Sequence, residues 1–346
     1  MTVELDLPSL SDPALERLTE FLRNQHPELV DLKLIELDEF TEGWETDLYR
    51  LRLTGTRDGL PTDKELVLRL YKGADPILKA QLEFSIMTGV SQFGLPTPRV
   101  DALVTDPSVL GDPFLVMEYI AGGTLDDKIK SSEIPHFLDP MVEMLAKIHA
   151  LPWRELIPDP GESLPRPDEP LAFIRSQLQQ MDATVDRFKL TDFAPTMAWL
   201  REREVLGVAT SPVLIHNDFH PQNILLRNDE MVIIDWSFAE IGDYRMDLAW
   251  SVMLTGVMVG QELRPVMLEA YERAAGSAVE NLEYFEVLKF TMRMLTIAAW
   301  LDETVDIPVA GITKQAIRGD YKVHVMNPYR RLKQITRIPI RMIEEL

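Results

Sequence analysis

The stretch His216-Asn217-Asp218-Phe219-His220-Pro221-Gln222-Asn223, followed by Ile233-Ile234-Asp235-Trp236, decides the reading of this chain. Between the two lie the short apolar runs Ile224-Leu225-Leu226 and Met231-Val232-Ile233-Ile234, separated by the turn-like Arg227-Asn228-Asp229-Glu230. Apolar runs of this length around a polar turn predict a tight hairpin. Such a hairpin returns Asp235 to the end at which Asn223 sits. Two carboxylates and one amide then converge from a single short segment.

Asp218 and Asn223 are five residues apart on a loop, the spacing of a kinase catalytic loop, in which Asp faces the acceptor hydroxyl and Asn holds Mg²⁺. Asp235 falls where a kinase carries its second metal-binding Asp. The residue types suit the chemistry. Phosphoryl transfer asks for in-line positioning and neutralisation of the triphosphate rather than covalent work by the protein. Mg²⁺ takes hard oxygen ligands, which a carboxylate and an amide oxygen supply. A second carboxylate, free of metal, can orient the acceptor hydroxyl and take its proton. A lone D-x-x-x-x-N would read as an ordinary polar loop, and the hairpin with its returning Asp235 sets this one apart.

The stretch resembles the aminoglycoside phosphotransferase and choline kinase-like superfamily, small-molecule kinases with a protein-kinase-like fold. The family signature is H-G-D-x-H-x-x-N followed by I-D-W/F, and Asn217 stands here where Gly is commonest. Gly242-Asp243-Tyr244-Arg245-Met246-Asp247-Leu248-Ala249 resembles the family's G-D-P-x-x-D-L-A, with Tyr244 in place of Pro. The similarity runs through most of the chain. It implies an α+β, bilobal protein-kinase-like fold, with a small antiparallel-sheet N-lobe and a larger, mostly helical C-lobe. It also implies ATP or GTP as phosphate donor, Mg²⁺ as cofactor and a small-molecule hydroxyl as acceptor. Asp218 would be the catalytic base, and Asn223 and Asp235 the metal ligands. Asp247 would brace the loop by accepting backbone hydrogen bonds, and His216 would pack beneath it. His220 does not have the spacing of a metal ligand, and a structural or acceptor-side role is expected of it.

Composition narrows the class. With 346 residues the chain is long enough for a bilobal protein, and 46% hydrophobic residues suffice for a substantial core. A formal charge of −21 argues against nucleic acid or an anionic membrane as partner. It is compatible with a cationic acceptor, and equally with an acidic surface that serves solubility. No cysteine is present, so disulfides and thiolate metal sites are excluded. No basic segment leads into an apolar one near the start, and the apolar run from Leu248 to Gly260 is too short to span a bilayer. A cytoplasmic location is the expectation.

Residues 1–120 are expected to form the nucleotide-binding lobe. Asp12-Pro13 opens an amphipathic helix carrying Leu15, Leu18, Phe21 and Leu22 within residues 1–30. Residues 32–37, 48–53 and 66–71 alternate as three strands, with turns at Gly43 and at Asp58-Gly59. By the resemblance, the turn at Gly43 covers the nucleotide phosphates, in a pattern close to Gly43, Asp47 and Tyr49. Arg69 occupies the third-strand position of a kinase's phosphate-pairing Lys, and a guanidinium grips phosphate oxygens bidentately. Lys72 is its rival. Alternation places Val67, Arg69 and Tyr71 on one face, directed either into a cleft or to solvent. A helix from Pro76 to about Val90 carries Glu83, either the partner of Arg69 or a solvated residue. Gly94 to Val100 leads towards the next strand, and Phe114 to Ile120 reads as a buried strand ending in the lobe hinge. Backbone groups of Glu118, Tyr119 and Ile120 would there meet the adenine edge.

Residues 121–346 are expected to form the catalytic and acceptor-binding lobe. Phe137 to Leu151 is helical and ends at His149, read as structural. Residues 152–170 hold six prolines and the acids Asp159, Glu162, Asp168 and Glu169, an irregular surface segment. Helices are expected at Ala172–Phe188 and Pro195–Leu206, in the region that builds much of the acceptor site in the superfamily. Asp247 should begin an apolar helix running through Val259. The basic tail (Arg330, Arg331, Lys333, Arg337, Arg341) reads as a helix that satisfies neighbouring acids. Two other classes compete with the small-molecule kinase. A pseudokinase that binds nucleotide and regulates a partner has no need of Asp218. A protein kinase would need a longer activation segment than the dozen residues between Asp235 and Asp247.

Overall fold

The computed structural model describes residues 12–42, 46–129, 134–157, 169–208, 211–260, 263–302, 304–305 and 313–346. It comprises two compact units, one holding residues 12–92 and 96–121 and the other residues 93–95 and the chain from 122 onwards. The predicted loop at Gly43 and the acids Asp159, Glu162 and Asp168 lie outside the described residues.

In the first unit, α1 (Asp12–Gln25) precedes β1 (Val30–Glu42), β2 (Thr46–Arg57) and β3 (Leu60–Tyr71). Helix α2 (Pro76–Gln92), β4 (Val100–Val104) and β5 (Phe114–Glu118) follow. The five strands make one antiparallel sheet in the order β1-β2-β3-β5-β4. The strands run longer than their apolar cores. Hydrogen-bond pairing continues to a two-residue turn in which Asp58 and Gly59 both take positive φ, a conformation Gly and Asp tolerate and one that matches the strand twist. Strand alternation sorts the core. Leu66, Leu68 and Leu70 face the cluster built on Leu18 and Leu22 of α1. Tyr71 joins Ala80 of α2 and Leu115 in a second cluster. Burying each such leucine contributes about 1.5–3 kcal/mol, which holds α1 on the sheet.

The second unit is mostly helical. In chain order it contains α3 (Leu125–Ile129), α4 (Ile134–His149), α5 (Trp153–Leu156), α6 (Ala172–Phe188) and α7 (Ala194–Glu202). Strands β6 (Val213–Ile215), β7 (Ile224–Arg227), β8 (Glu230–Ile233) and β9 (Glu240–Gly242) come next. Helices α8 (Tyr244–Met258), α9 (Leu263–Ala275), α10 (Leu282–Trp300), α11 (Lys314–Arg318), α12 (Val323–Thr336) and α13 (Arg341–Glu344) complete it. Helix α10 is buried along most of its length and packs against α6, α8 and α12. Among the described residues no helix is long and apolar enough to cross a membrane.

Helix α8 begins three residues earlier than Asp247. Asp243 is its N-cap, accepting the backbone N–H of Arg245, and it also binds the Arg245 guanidinium through two oxygens. The cap moves Asp247 into the first turn, where a carboxylate is favoured by the helix dipole. The basic tail pairs with acids as expected. Arg331 binds Glu283 and Glu286, and Lys333 binds Glu344.

Candidate active site

The hairpin forms as the sequence predicts. β7 and β8 pair with Ile224 opposite Ile233, around a turn whose Asn228 and Asp229 both have positive φ. The Ile234 N–H donates to the Asn223 carbonyl at 3.0 Å, which brings Asp235 beside the end of the catalytic loop. The hairpin is seated on residues 122–124. Leu226 N–H donates to the Gly123 carbonyl, and a Cβ on Gly122 would stand 2.0 Å from the Leu226 carbonyl oxygen. Only glycine fits there.

Asp218 is held from three sides. Its Oδ1 accepts from Trp250 Nε1 at 2.9 Å. Its Oδ2 accepts from Asn223 Nδ2 at 2.9 Å and faces His220 Nε2 at 3.5 Å. His220 Nδ1 accepts the Gln222 N–H, which leaves the ring proton on Nε2, aimed at Asp218. Burial alone would push the Asp218 carboxyl up, but the contacts with His220 and the Trp250 hydrogen bond outweigh it. The carboxyl stays well below the usual carboxylate range.

Asp247 anchors the loop's backbone. It accepts from His216 N at 2.7 Å, from Asn217 N at 3.0 Å and from His149 Nε2 at 3.2 Å. The Tyr271 hydroxyl lies 2.6 Å from His149 Nδ1 and completes a buried relay from α9 through α4 to α8. Burial opposes the Asp247 charge, yet the hydrogen bond from His149 and the surrounding donors keep this carboxyl low as well. His216 is fully buried. Its Nε2 donates to the Ile234 carbonyl and its Nδ1 accepts the Asp218 N–H, tying loop to hairpin. Burial lowers its pKa, so it serves as a neutral strut.

Asn217 has φ 64°, the left-handed region. This explains why glycine suits the position and why asparagine replaces it at small cost. The side chain also works, donating to Glu240 Oε1 and the Phe238 carbonyl and accepting from Lys289 Nζ at 2.8 Å. Asp235 too has positive φ (62°), and its Oδ1 accepts from the Ser237 hydroxyl.

The donor set suits Mg²⁺. Asn223 spends its amide N–H groups on Asp218, on the backbone oxygen and on Oδ2, which leaves Oδ1 as the atom for a cation. Asp235 would supply a second hard oxygen from the return strand, at the same end of the hairpin as Asn223. Among the described residues no group of three or more His, Cys, Asp or Glu could hold a metal.

In the first unit, Arg69 Nη1 lies 3.1 Å from Glu83 Oε1, and the Tyr71 hydroxyl donates to Glu83 Oε2 at 2.6 Å. Arg69 and Glu83 are both buried, so Glu83 is the partner of Arg69 and neither faces solvent. The rival Lys72 is instead half-exposed and bound to Asp47. Glu118 accepts the Arg99 N–H and its own N–H donates to the Arg99 carbonyl. The Tyr119 ring stacks with Phe40, the Arg50 guanidinium lies over it, and Ile120 is buried.

Sequence reasoning missed Trp250, Tyr271, Lys289 and Arg293. Only Trp250 left a signal. It stands three residues after Asp247 on the same helix, so a helix aimed at the loop by one presents the other.

A five-stranded antiparallel sheet followed by a mostly helical unit is a protein-kinase-like fold. The profile of the phosphotransferase enzyme family APH matches residues 36–287, and the chain belongs to that family. A putative aminoglycoside phosphotransferase from Ralstonia eutropha superposes with a TM-score of 0.64 at 16% identity, covering 92% of this chain and 98% of its own. An amicoumacin kinase, solved in complex with AMP-PNP, Ca²⁺ and Ami, gives 0.57 at 12% identity over 90% and 93% of the two chains. Among curated sequences, mouse acyl-CoA dehydrogenase family member 10 is 26% identical over 235 residues, 63% of this chain. The chain spans about a fifth of that relative's length, 20%.

Proposed function

We propose that the protein transfers the γ-phosphate of Mg-ATP, or of Mg-GTP, to a hydroxyl of a small molecule. The observation that carries this reading is the triple hold on Asp218, which keeps an ionised carboxylate at fixed orientation while leaving it partly exposed. A carboxylate with so low a pKa is a weak base in the ground state. It acts by orienting the acceptor hydroxyl and taking the proton late, as the attacking oxygen loses electron density to phosphorus. Asn223 Oδ1 and the Asp235 carboxylate would hold Mg²⁺, which neutralises charge on the transferring phosphate. Arg69, fixed by Glu83, would bind phosphate oxygens, and the backbone from Glu118 to Ile120 would take the adenine edge.

The test is ADP or GDP release by the pure protein with each nucleotide over a panel of hydroxyl acceptors, with Asp218→Asn as blank. Turnover on one acceptor class, absent in the variant, supports both function and residue. Absence of nucleotide binding would sink the reading.

A further inference from the structure

The face of the second unit beside Asp218 carries two cations that the proposed chemistry does not use. Lys289 and Arg293 stand one turn apart on α10 and so on the same side of the helix. Lys289 Nζ donates to Asn217 Oδ1 at 2.8 Å and lies 5.2 Å from the centre of the Trp250 ring. The Arg293 guanidinium lies 5.9 Å from the same ring and 5.6 Å from those of Trp300 and Tyr321, and it donates to the Tyr321 hydroxyl. His324 stacks on the far side of this group, its ring 4.7 Å from Tyr321. The Trp250 indole therefore binds Asp218 through its N–H edge and both cations through its face.

Neither cation has a carboxylate within the 4.0 Å of an ion pair among the described residues. The chain has 56 acidic and 35 basic residues, so acids are plentiful. Other arginines of this unit find them: Arg245 binds Asp243, and Arg264 and Arg331 share Glu286. Burial opposes the ammonium form of Lys289 and the nearby charges of Asp247, Glu240 and Asp218 favour it, while each of these acids is hydrogen-bonded elsewhere. Glu240 accepts from Asn217, Asp218 from Trp250 and Asn223, and Asp247 from the loop backbone. Among the described residues Arg293 meets a hydroxyl and aromatic faces. A guanidinium in that setting keeps free donors in a fixed plane, the arrangement that recognises an oxyanion.

We infer that Arg293, supported by Lys289 and Tyr321, is an anion subsite that anchors an acidic group of the acceptor, one indole's width from the carboxylate that receives the hydroxyl. The acceptor class is thus a hydroxylated oxyacid, carrying a carboxylate or phosphate at one end and the reactive hydroxyl at the other. This replaces the expectation of a cationic acceptor, and it rests on the phosphotransferase reading of Asp218. The two cations contribute locally against the protein's overall negative charge, so the preference is expected to be short-ranged and to survive moderate salt.

The test is equilibrium binding, by ligand-detected NMR and without nucleotide, of ω-hydroxy carboxylates of two to six carbons and of their amides. Glycerol 3-phosphate serves as the phosphate arm, and choline and kanamycin as the cationic arm. At least one acid or the phosphate should bind roughly tenfold or more tighter than its neutral analogue. Arg293→Met should bring the two within about twofold, and Arg293→Lys should restore part of the difference. The better oxyacid then tells carboxylate from phosphate. Equal binding of acid and amide, an advantage that survives Arg293→Met, or tighter binding of choline or kanamycin overturns the inference. Adding Mg-ATP to the same samples keeps the two claims apart. An anion preference without turnover counts against the kinase reading and leaves the subsite standing.

Discussion

The catalytic loop and the wall of side chains beside it are built on opposite plans. From His216 to Asn223 the loop fixes itself by short-range contacts. Asn223 reaches back to Asp218, His216 and His220 each accept a backbone N–H two residues on, and the hairpin closes within a dozen residues. The neighbouring wall is drawn from α8, α10 and the approach to α12, and its contacts join residues from 28 apart, Arg293 with Tyr321, to 43 apart, Trp250 with Arg293. On the proposed mechanism the difference separates chemistry from selectivity. The two regions meet where Trp250 and Lys289 bind Asp218 and Asn217 of the loop, whereas Arg293 touches only the wall among the described residues.

The comparison can be broken first at Asp247, which joins the loop to the helices. Asp247→Ala would leave two backbone N–H groups and His149 buried without their acceptor. A loss of about 3–5 kcal/mol is expected in denaturant unfolding. A loss below about 1 kcal/mol would show that the loop stands without its brace.

A second prediction concerns pH. Burial lowers the His216 pKa, so in the folded state this group takes its proton at a lower pH than in the unfolded chain. Its contribution is complete above the unfolded value of about 6.5 and is lost as pH falls towards the folded one, at up to about 1.4 kcal/mol per pH unit. Asp247 and Asp218, both depressed, add the same sign only below about pH 4. Unfolding measured between about pH 6.5 and 4.5 should show a gentler slope in His216→Gln than in the wild type. Equal slopes would mean that His216 is not the titrating strut.

Trp250→Phe sharpens the comparison, because it removes the N–H to Asp218 and keeps most of the ring under Lys289 and Arg293. Turnover should fall about tenfold through kcat, with a stability change near 1 kcal/mol. A change confined to KM would place Trp250 on the acceptor side alone. The smallest effect is a difference between two variants at Asn217. Both Asn217→Gly and Asn217→Ala lose the side-chain bonds to Glu240, Phe238 and Lys289, and Asn217→Ala should cost about 1–2 kcal/mol more than Asn217→Gly, the strain of the left-handed backbone. Thermal unfolding of the two variants side by side checks the order.

The same contrast explains what could be read before the structure. The spacing of Asp218, Asn223 and Asp235 carried the hairpin, and alternation placed Arg69 and Tyr71 on one face of β3. The partnership of Arg69 with Glu83 followed from the kinase-like register, although burial was needed to exclude a solvent-facing arginine. The start of α8 was misplaced because Asp243, an N-cap, looked like one more loop acid beside Asp247. Lys289 and Arg293 were invisible. An apolar helix with two basic residues reads as amphipathic, and nothing local says that those residues meet Trp250 rather than an acid.

The most direct measurement of the central claim pairs binding and turnover on Asp218→Asn. The substitution keeps size and hydrogen-bonding capacity but removes the charge that, on the proposed mechanism, orients and deprotonates the acceptor. Mg-nucleotide affinity should stay within about threefold of the wild type, while kcat on the best acceptor falls about 10²–10⁴-fold. Turnover of the variant within a few-fold of the wild type would contradict the assignment of Asp218 and the mechanism built on it.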